Sequence, residues 1–452
     1  MPATRVADAS RAAEPLQVAL NVIALRSPLT GVGHYTLQLA GALQTLLASP
    51  PWLFDGVHWR HGLAQVNAAA ESAQSNDLST DGSCSASDAA HGVRAARLAS
   101  SSNDGNAAPP GLTSTPPAMP TSAIQSPSAA LRAVRQIVRA TPGARTVANM
   151  LMQQRFTAGT RRHGITLYHE PNFLAFRYRG PTVVTVHDLS WIRFAQTHPA
   201  DRVRRMNRAM PTVVRQAAHI VVDSDFIRRE VIDYYGVAPA RISTVALGVT
   251  DAFAPRAPHQ CAALLSRLGL AYGSYLLAVG TLEPRKNLAT VLAAFARLPA
   301  AQRARNPLVI AGGMGWRMDG FSHALSAMLA SGEVRLTGYV AQDDLPLLYA
   351  GARMLLYPSL YEGFGLPPLE AMASGVPVIV SDRASLPEVV GDAALQVDAL
   401  DAIALAEQIT RLLEDDRLHA RLREAGLIRA RQFSWDTCAR RTLAIYRAVL
   451  AQ

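Results

Sequence analysis

Lysine is almost absent from this 452-residue chain: of 44 basic residues, one is lysine, Lys286, and the rest are arginine. Cysteine is scarce as well. Cys84, Cys261 and Cys438 are far apart and match no metal-ligand spacing, which excludes a disulfide framework and a cysteine-ligated zinc site and points to a reduced, cytoplasmic compartment. No apolar run reaches the roughly 18 residues that a membrane-spanning helix needs. Residues 1–15 carry mixed charge without an apolar core, so they read as a disordered N-terminus rather than a signal peptide. Aromatic residues make up 6% of the chain and are missing altogether from 67–128, a stretch dominated by Ala, Ser, Asp, Gly and Pro. Such a composition buries too little apolar surface to offset chain entropy, so 67–128 is expected to be a disordered insertion.

What remains is ample for two cores, since 49% of the chain is hydrophobic and its length exceeds what one core usually supports. The rest alternates strand and helix, the mark of parallel α/β layers. A strand over 17–24, the turn Thr30-Gly31-Val32-Gly33 and a helix from Tyr35 to Leu47 open a first Rossmann-like domain, 16–250, which continues through strands at 166–169, 182–187, 220–223 and 243–247. A second Rossmann-like domain, 251–432, runs through strands at 275–279, 308–311, 334–337, 354–357, 377–380 and 394–397. In Phe433-Ser434-Trp435, Ser434 is placed to cap a last helix through Leu450.

The lone lysine directs attention to Gly280-Thr281-Leu282-Glu283-Pro284-Arg285-Lys286-Asn287, which follows the short β-prone run Tyr275 to Val279. A strand-loop-helix junction gathers unpaired backbone N–H groups. Arg285, a planar fork, and Lys286, a compact point charge, add a cationic pocket suited to a diphosphate. The plainer reading is that both are solvated charges at a helix start, where they oppose the macrodipole.

A second constellation, Tyr361-Glu362-Gly363-Phe364-Gly365-Leu366-Pro367-Pro368-Leu369-Glu370, follows the apolar segment Met354 to Tyr357. Gly363 and Gly365 disfavour helix and Pro368 suits a first turn, so a helix is predicted from about Pro367 to Ser374, with Glu362 on the loop and Glu370 in the first turn. Two carboxylates beside a glycine-lined loop can accept hydrogen bonds from vicinal hydroxyls, the manner in which a nucleotide-sugar is held. Taken singly, Glu370 can equally be an acid compensating a helix N-terminus and Glu362 a solvated loop acid. Ligands in parallel sheets sit beyond the carboxyl ends of strands. That rule also selects the turn at Gly31 and Gly33, which reads equally as tight strand-to-helix packing, the pair His187 and Asp188 at the tip of Val183-Val184-Thr185-Val186, and the strand-end acid Glu170. His187 is suited to bond a donor-sugar hydroxyl, with Asp188 orienting it or meeting the acceptor; the plain alternative is a histidine satisfied by local backbone.

Together with Gly375-Val-Pro-Val-Ile-Val-Ser, these segments resemble the retaining family 4 glycosyltransferases, over roughly 16–51 and 161–452. The resemblance implies two Rossmann-like domains facing each other across a cleft, an N-terminal domain binding the acceptor, a C-terminal domain binding the nucleotide-sugar, and a last helix, 433–452, crossing back to the first domain. It implies that Arg285 and Lys286 stabilise the departing diphosphate, that Glu362 holds the donor sugar and Glu370 the ribose, and that Gly280, Thr281, Gly363, Phe364, Gly365 and Leu366 line the donor site. The leaving phosphate, not His187, then accepts the acceptor proton. The wording of the Lys286 motif looks most like mannosyltransferases using GDP-mannose in bacterial surface polysaccharide assembly, such as O-antigen.

No cofactor or metal is expected: the pairs Asp343-Asp344 and Asp415-Asp416 fall at helix starts or helical surfaces, and the two cations would do the electrostatic work of a metal. Between Leu131 and Arg215 fifteen arginines face three acids, and Arg202, Arg204, Arg205 and Arg208 crowd one helix. That face suits an anionic membrane surface; without a recognised module or stacking aromatics, nucleic acid is not an expected partner. The expected partners are a nucleotide-sugar donor and a saccharide or lipid-linked saccharide acceptor. A nucleotide-sugar 2-epimerase of the same architecture and a non-catalytic membrane-surface scaffold are the competing readings.

Overall fold

A computed structural model describes residues 16–26, 29, 31–63, 144–313 and 322–452. The N-terminus expected at 1–15, the insertion expected at 67–128 and Thr30 lie outside the described residues.

The first sheet contains β1 (Val18–Asn21), β2 (Trp52–Phe54), β3 (Trp59–His61), β4 (Leu167–Glu170), β5 (Thr182–Val186), β6 (His219–Val222) and β7 (Ile242–Thr244), in the order β3-β2-β1-β4-β5-β6-β7. All pairings are parallel except β2–β3. The second sheet, wholly parallel, contains β8 (Leu276–Val279), β9 (Leu308–Ala311), β10 (Val334–Gly338), β11 (Met354–Tyr357), β12 (Val378–Ser381) and β13 (Leu395–Val397), in the order β10-β9-β8-β11-β12-β13. This is the pair of parallel α/β domains that the alternating pattern predicts. Burial on both sheet faces explains the continuous apolar runs: all four residues of β11 are at most 3% exposed. On the helix Leu288–Arg297, Leu288, Val291, Leu292 and Phe295 recur at helical spacing and pack on the sheet with Leu276, Leu308 and Met354. Each such side chain stabilises the domain by about 1.5–3 kcal/mol on burial.

Several boundaries differ from expectation. The first strand stops at Asn21 instead of continuing to Ala24, because the Asn21 side chain accepts the Ile23 N–H (3.0 Å), donates to Glu170 Oε2 (2.7 Å), and the chain turns into a 3-10 segment, Ile23–Arg26. The next helix begins at Gly31, not Tyr35, so Gly31 and Gly33 form its first turn rather than a preceding loop. The hairpin β2–β3 carries no alternation in sequence, since its strands are only three residues long. Its signal was the aromatic run around Asp55-Gly56, where Asp55 Oδ1 accepts the N–H groups of Val57 (2.9 Å) and His58 (2.8 Å).

The last helix, Trp435–Leu450, is capped by Ser434 Oγ, which accepts the Thr437 N–H at 3.1 Å. It packs on the helix Gly31–Leu46 of the first domain, and Tyr446 Oη lies 2.6 Å from His169 Nδ1. Val249, in the connection between the sheets, pairs with Ser434. Among the described residues no helix is long and apolar enough to cross a membrane.

Candidate active site

In the second sheet β8 and β11 are neighbours although 74 residues of chain separate the end of one from the start of the other in sequence order, because the strand order reverses between them. The loop after each therefore leaves the same edge of the sheet, where ligands of such sheets bind. The Lys286 loop follows β8 and the Glu362 loop follows β11.

Local chemistry fixes the Lys286 loop. Pro284–Lys286 forms one 3-10 turn, and Asn287 adopts the left-handed conformation (φ 58°) that asparagine tolerates best among residues with a side chain. Its Nδ2 donates to the carbonyls of Pro358 (2.9 Å) and Ala399 (2.5 Å), while Oδ1 accepts from Thr290 Oγ1 (2.9 Å). The turn is thus bolted to the end of β11. Gly280 and Gly312 meet at the tips of β8 and β9: a Cβ on Gly312, at φ 154°, would stand 1.9 Å from the Gly280 carbonyl oxygen. Gly312→Ala is accordingly expected to cost about 3 kcal/mol through overpacking and backbone strain, read as a lowered denaturant midpoint; an unchanged midpoint would contradict this packing.

The two motifs touch. Lys286 Nζ donates to Glu362 Oε1 (2.7 Å) and to Tyr357 Oη (2.7 Å), and Tyr357 Oη donates to the same carboxylate oxygen (3.0 Å). Arg285 Nη1 donates to Glu362 Oε2 (3.1 Å) and to the Tyr361 carbonyl, while Nη2 donates to Glu283 Oε1 (2.6 Å). All four charged side chains are largely buried. Burial raises the Glu362 carboxyl, but Lys286 and Arg285 outweigh it and hold the pKa at about 2. Burial depresses the Lys286 ammonium, and Glu362 restores only part of the loss. For Arg285 burial also works downward, yet Glu362 and Glu283 prevail and keep the guanidinium firmly charged.

Expectation and structure part here. The sequence suggests a cationic pocket, but Arg285 and Lys286 are matched by Glu283 and Glu362, so the cluster is formally neutral. Glu362 is in place as an internal counterion. Capacity for a ligand remains, since an ammonium carries three donors and Lys286 uses two, and the buried Arg285 Nε has no hydrogen-bond partner.

Glu370 lies beyond the first turn of Leu366–Ala373 rather than within it, because the helix starts at Leu366, and it sits beside the Tyr349 phenol. Desolvation raises its carboxyl to about 7, with Tyr349 pulling weakly the other way. Gly365, at φ 122°, turns the chain into that helix, which begins at Leu366. Ser385 Oγ donates to the carbonyls of Glu362 (2.9 Å) and Phe364 (2.7 Å), shaping the loop between the acids. Phe364 is buried against Phe433. Thr281 is exposed at the rim.

On the first domain His187 is buried with both ring nitrogens engaged: Nδ1 is 2.7 Å from Asp223 Oδ2 and Nε2 is 2.8 Å from the Pro171 carbonyl. Two acceptors ask for two donors. Burial lowers the imidazole, but Asp223 and the Pro171 carbonyl overcome it, so its pKa is raised above the ordinary value. The sugar-hydroxyl contact expected of the His187 ring is therefore replaced by local partners. Asp188, partly exposed, accepts the Ser190 N–H (2.9 Å) and is close enough to Arg285 to help keep it charged. Glu170 is buried and accepts from Asn21 Nδ2 (2.7 Å), Tyr168 Oη (2.6 Å) and the Asn172 N–H (2.9 Å), joining the ends of β1 and β4. Gly33 packs on Leu29 and the Ala24 carbonyl, whereas Gly31 stands open.

Sequence reasoning missed Glu283, Tyr357 and Asn287, which sit inside or beside the motifs it selected. It also missed Ser224, Glu230 and Glu388, which lie in ordinary helical contexts without a local signal.

Two family models match the chain: "Glycosyl transferases group 1" over residues 273–429 and "Glycosyltransferase Family 4" over 111–253. The chain is 41% identical over 281 residues to the O-antigen chain mannosyltransferase B of Escherichia coli, covering 62% of this chain and 74% of that protein. It is 29% identical over 267 residues to the serotype-specific mannosyltransferase WbdA of Escherichia coli, covering 57% of this chain but 32% of that protein. Among solved structures, Anabaena HepE in complex with UDP and glucose superposes with a TM-score of 0.57 at 18% identity, over 68% of this chain and 83% of that one.

Proposed function

The chain belongs to the family 4 glycosyltransferases, and on that premise we propose that it moves mannose from GDP-mannose, with retention at the anomeric carbon, onto a saccharide or lipid-linked oligosaccharide acceptor in cell-surface polysaccharide synthesis. The observation that carries the reading is the Arg285–Lys286–Glu362 cluster at the tips of β8 and β11. A diphosphate entering beside it would accept from Arg285 and Lys286, and charge developing on the leaving group would meet donors already in place. Glu362, still ionised, would accept the hydroxyls of the sugar, and Glu370 those of the ribose. The domain carrying His187 and Asp188 faces the same crevice and would present the acceptor. Proton transfer from the acceptor hydroxyl would end on the leaving diphosphate, which is itself a base at the reacting face. No metal takes part in this scheme, since two fixed cations serve the diphosphate. The choice of mannose rests on the named relative in Escherichia coli.

The test is a panel of sugar nucleotides, with nucleotide release measured in the presence and absence of a mannosylated lipid-linked acceptor. Acceptor-dependent release from GDP-mannose above all other donors is expected. Release from a different donor would overturn the sugar assignment, and conversion of a donor without any acceptor would favour an epimerase.

Glu370 gives the donor site a pH dependence. Its carboxyl titrates at about 7, and only the ionised form accepts from both ribose hydroxyls, so the donor KM is expected to fall as pH rises from 6 to 8 and to flatten in Glu370→Gln. Stability runs the other way. The folded pKa is raised above the unfolded 4.5, so this group's contribution is fully present below pH 4.5 and lost as pH rises through about 7. A donor KM independent of pH in the parent protein would contradict this assignment.

Arg204, Arg205 and Arg208 are exposed on the helix Ala200–Gln216, whose Met206, Met210 and Val214 face the core. This surface fits an anionic membrane, at about 1 kcal/mol per basic residue near the headgroups. Binding to phosphatidylglycerol vesicles that weakens with salt is expected; equal binding to neutral vesicles would contradict it.

A further inference from the structure

Tyr361, which immediately precedes Glu362, belongs by sequence to the second domain, yet its side chain is 4% exposed within the core of the first, among Val186, Leu189, Trp191 and Met206. Its hydroxyl donates to Glu230 Oε2 (2.5 Å) and accepts the Leu189 N–H (2.9 Å), and its ring meets those of Phe194 (5.5 Å) and Phe226 (5.9 Å). Glu230 is itself buried, with its other oxygen 2.6 Å from Arg193 Nε. The backbone of Tyr361 points the opposite way, because its carbonyl accepts from Arg285 Nη1. One residue therefore links a socket on the first domain to the charged cluster of the second.

The rest of the junction fastens the same loop. Ser224 Oγ donates to the Gly363 carbonyl (2.7 Å), and Gly363 approaches the His187 carbonyl so closely that a Cβ there would stand 1.9 Å from its oxygen. Further along, the Glu388 carboxylate accepts the N–H groups of Asp225 (2.8 Å) and Phe226 (3.1 Å), capping a helix of the other domain. The segments flanking Glu362 are thus held by the acceptor-side domain, while Glu362 itself is held by the donor-side domain.

We propose that Tyr361 is a positioning residue that couples closure of the two domains to the register of Arg285 and Glu362. With the phenol seated, the loop presents its carbonyl to Arg285 and its carboxylate to Lys286. With the domains apart, the phenol leaves Glu230 and Leu189 short of a partner, and the loop loses its anchor on one side. A phenol seated only in the closed state makes the arrangement suited to transfer contingent on water being excluded from the crevice, which favours transfer over hydrolysis. The proposal rests on the glycosyltransferase reading for its catalytic consequence, and on the socket alone for its structural one.

Tyr361→Phe keeps the ring and its packing while removing both hydroxyl bonds, so it tests the coupling without emptying the socket. Expected is a fall in transfer kcat of roughly tenfold or more, a higher ratio of donor hydrolysis to transfer, and GDP affinity by calorimetry within about twofold of the parent protein. Glu230→Gln retains an acceptor for the phenol and should shift the same ratio less. Unchanged kcat and ratio would overturn the proposal, as would a fall in kcat matched by equal losses of Tm and GDP affinity at an unchanged ratio. If the parent protein turned over no sugar nucleotide, the donor reading would have failed, and Tyr361 would be judged by solution scattering: a larger radius of gyration for Tyr361→Phe supports the coupling and equal radii overturn it.

Discussion

Replacing Lys286 with alanine is expected to lower turnover at saturating donor by roughly 10²–10³-fold, the loss seen when one preorganised donor to a developing anion is removed. Nζ is anchored by Tyr357 Oη and Glu362 Oε1, both at 2.7 Å, on a turn that Asn287 ties to the end of β11. The ammonium therefore needs no reorganisation when charge builds on the leaving diphosphate. Partial burial strengthens its field while depressing its pKa. Because Lys286 is also one of the two cations paired with the buried Glu362, the alanine variant should lose some stability as well. Lys286→Arg is the informative companion: it restores charge but not the compact geometry, and turnover well below that of the parent protein is expected. Near-normal kcat in Lys286→Ala would remove the residue from the mechanism.

Glu362→Gln is expected to have effects of opposite sign on two measurements. Among the described residues the carboxylate is the one acid that Lys286 pairs with directly, and one of two that bond Arg285 directly. Its loss leaves Lys286 without its direct counterion and Arg285 with Glu283 alone, and the usual cost of breaking a buried pair is about 3–5 kcal/mol. The ligand-free variant should unfold at a markedly lower temperature. A nucleoside diphosphate would then supply the missing negative charge, so GDP should bind the variant more tightly than the parent and recover much of the lost stability. Transfer, in which the carboxylate is proposed to hold the sugar, should fall at the same time. Acid should mimic the stability loss in the parent protein. Glu362 has a folded pKa of about 2 against 4.5 unfolded, so its contribution is present above pH 4.5 and disappears as pH falls through about 2. Weaker GDP binding in the variant would contradict the counterion role.

Much of this was legible in the chain. A lone lysine on a strand-end loop and two acids around a glycine pair are local patterns, and the parallel α/β alternation places both at carboxyl ends of strands. The rule of ligand sites at strand tips then brings them to neighbouring strands, β8 and β11. Less legible was whatever depends on pairing across the fold. Sequence proximity suggested a cationic pocket, whereas folding matches each cation with a carboxylate, because unpaired charges are too costly to bury. The orientation of His187 was not legible either: Asp223 and the Pro171 carbonyl, which claim its ring, lie on segments that meet it only in the folded sheet. Tyr361 and Gly363 look like parts of a ligand loop, yet the Tyr361 hydroxyl and the Gly363 carbonyl bond to the other domain. Glu230 sits in the helix Asp225–Tyr235 with nothing in its neighbours to mark it.

The single lysine makes the central claim, that this cluster receives the diphosphate of the donor, directly measurable. Protein labelled with ¹³C at lysine alone gives one Cε resonance, from Lys286, whose pH titration reports its pKa and whose shift reports its surroundings. The Lys286 pKa is expected below the ordinary 10.5 and displaced upward, with a clear change of shift, when GDP is added, since a second anion favours the charged amine. A resonance that titrates at 10.5 and stays unmoved by saturating GDP would contradict it.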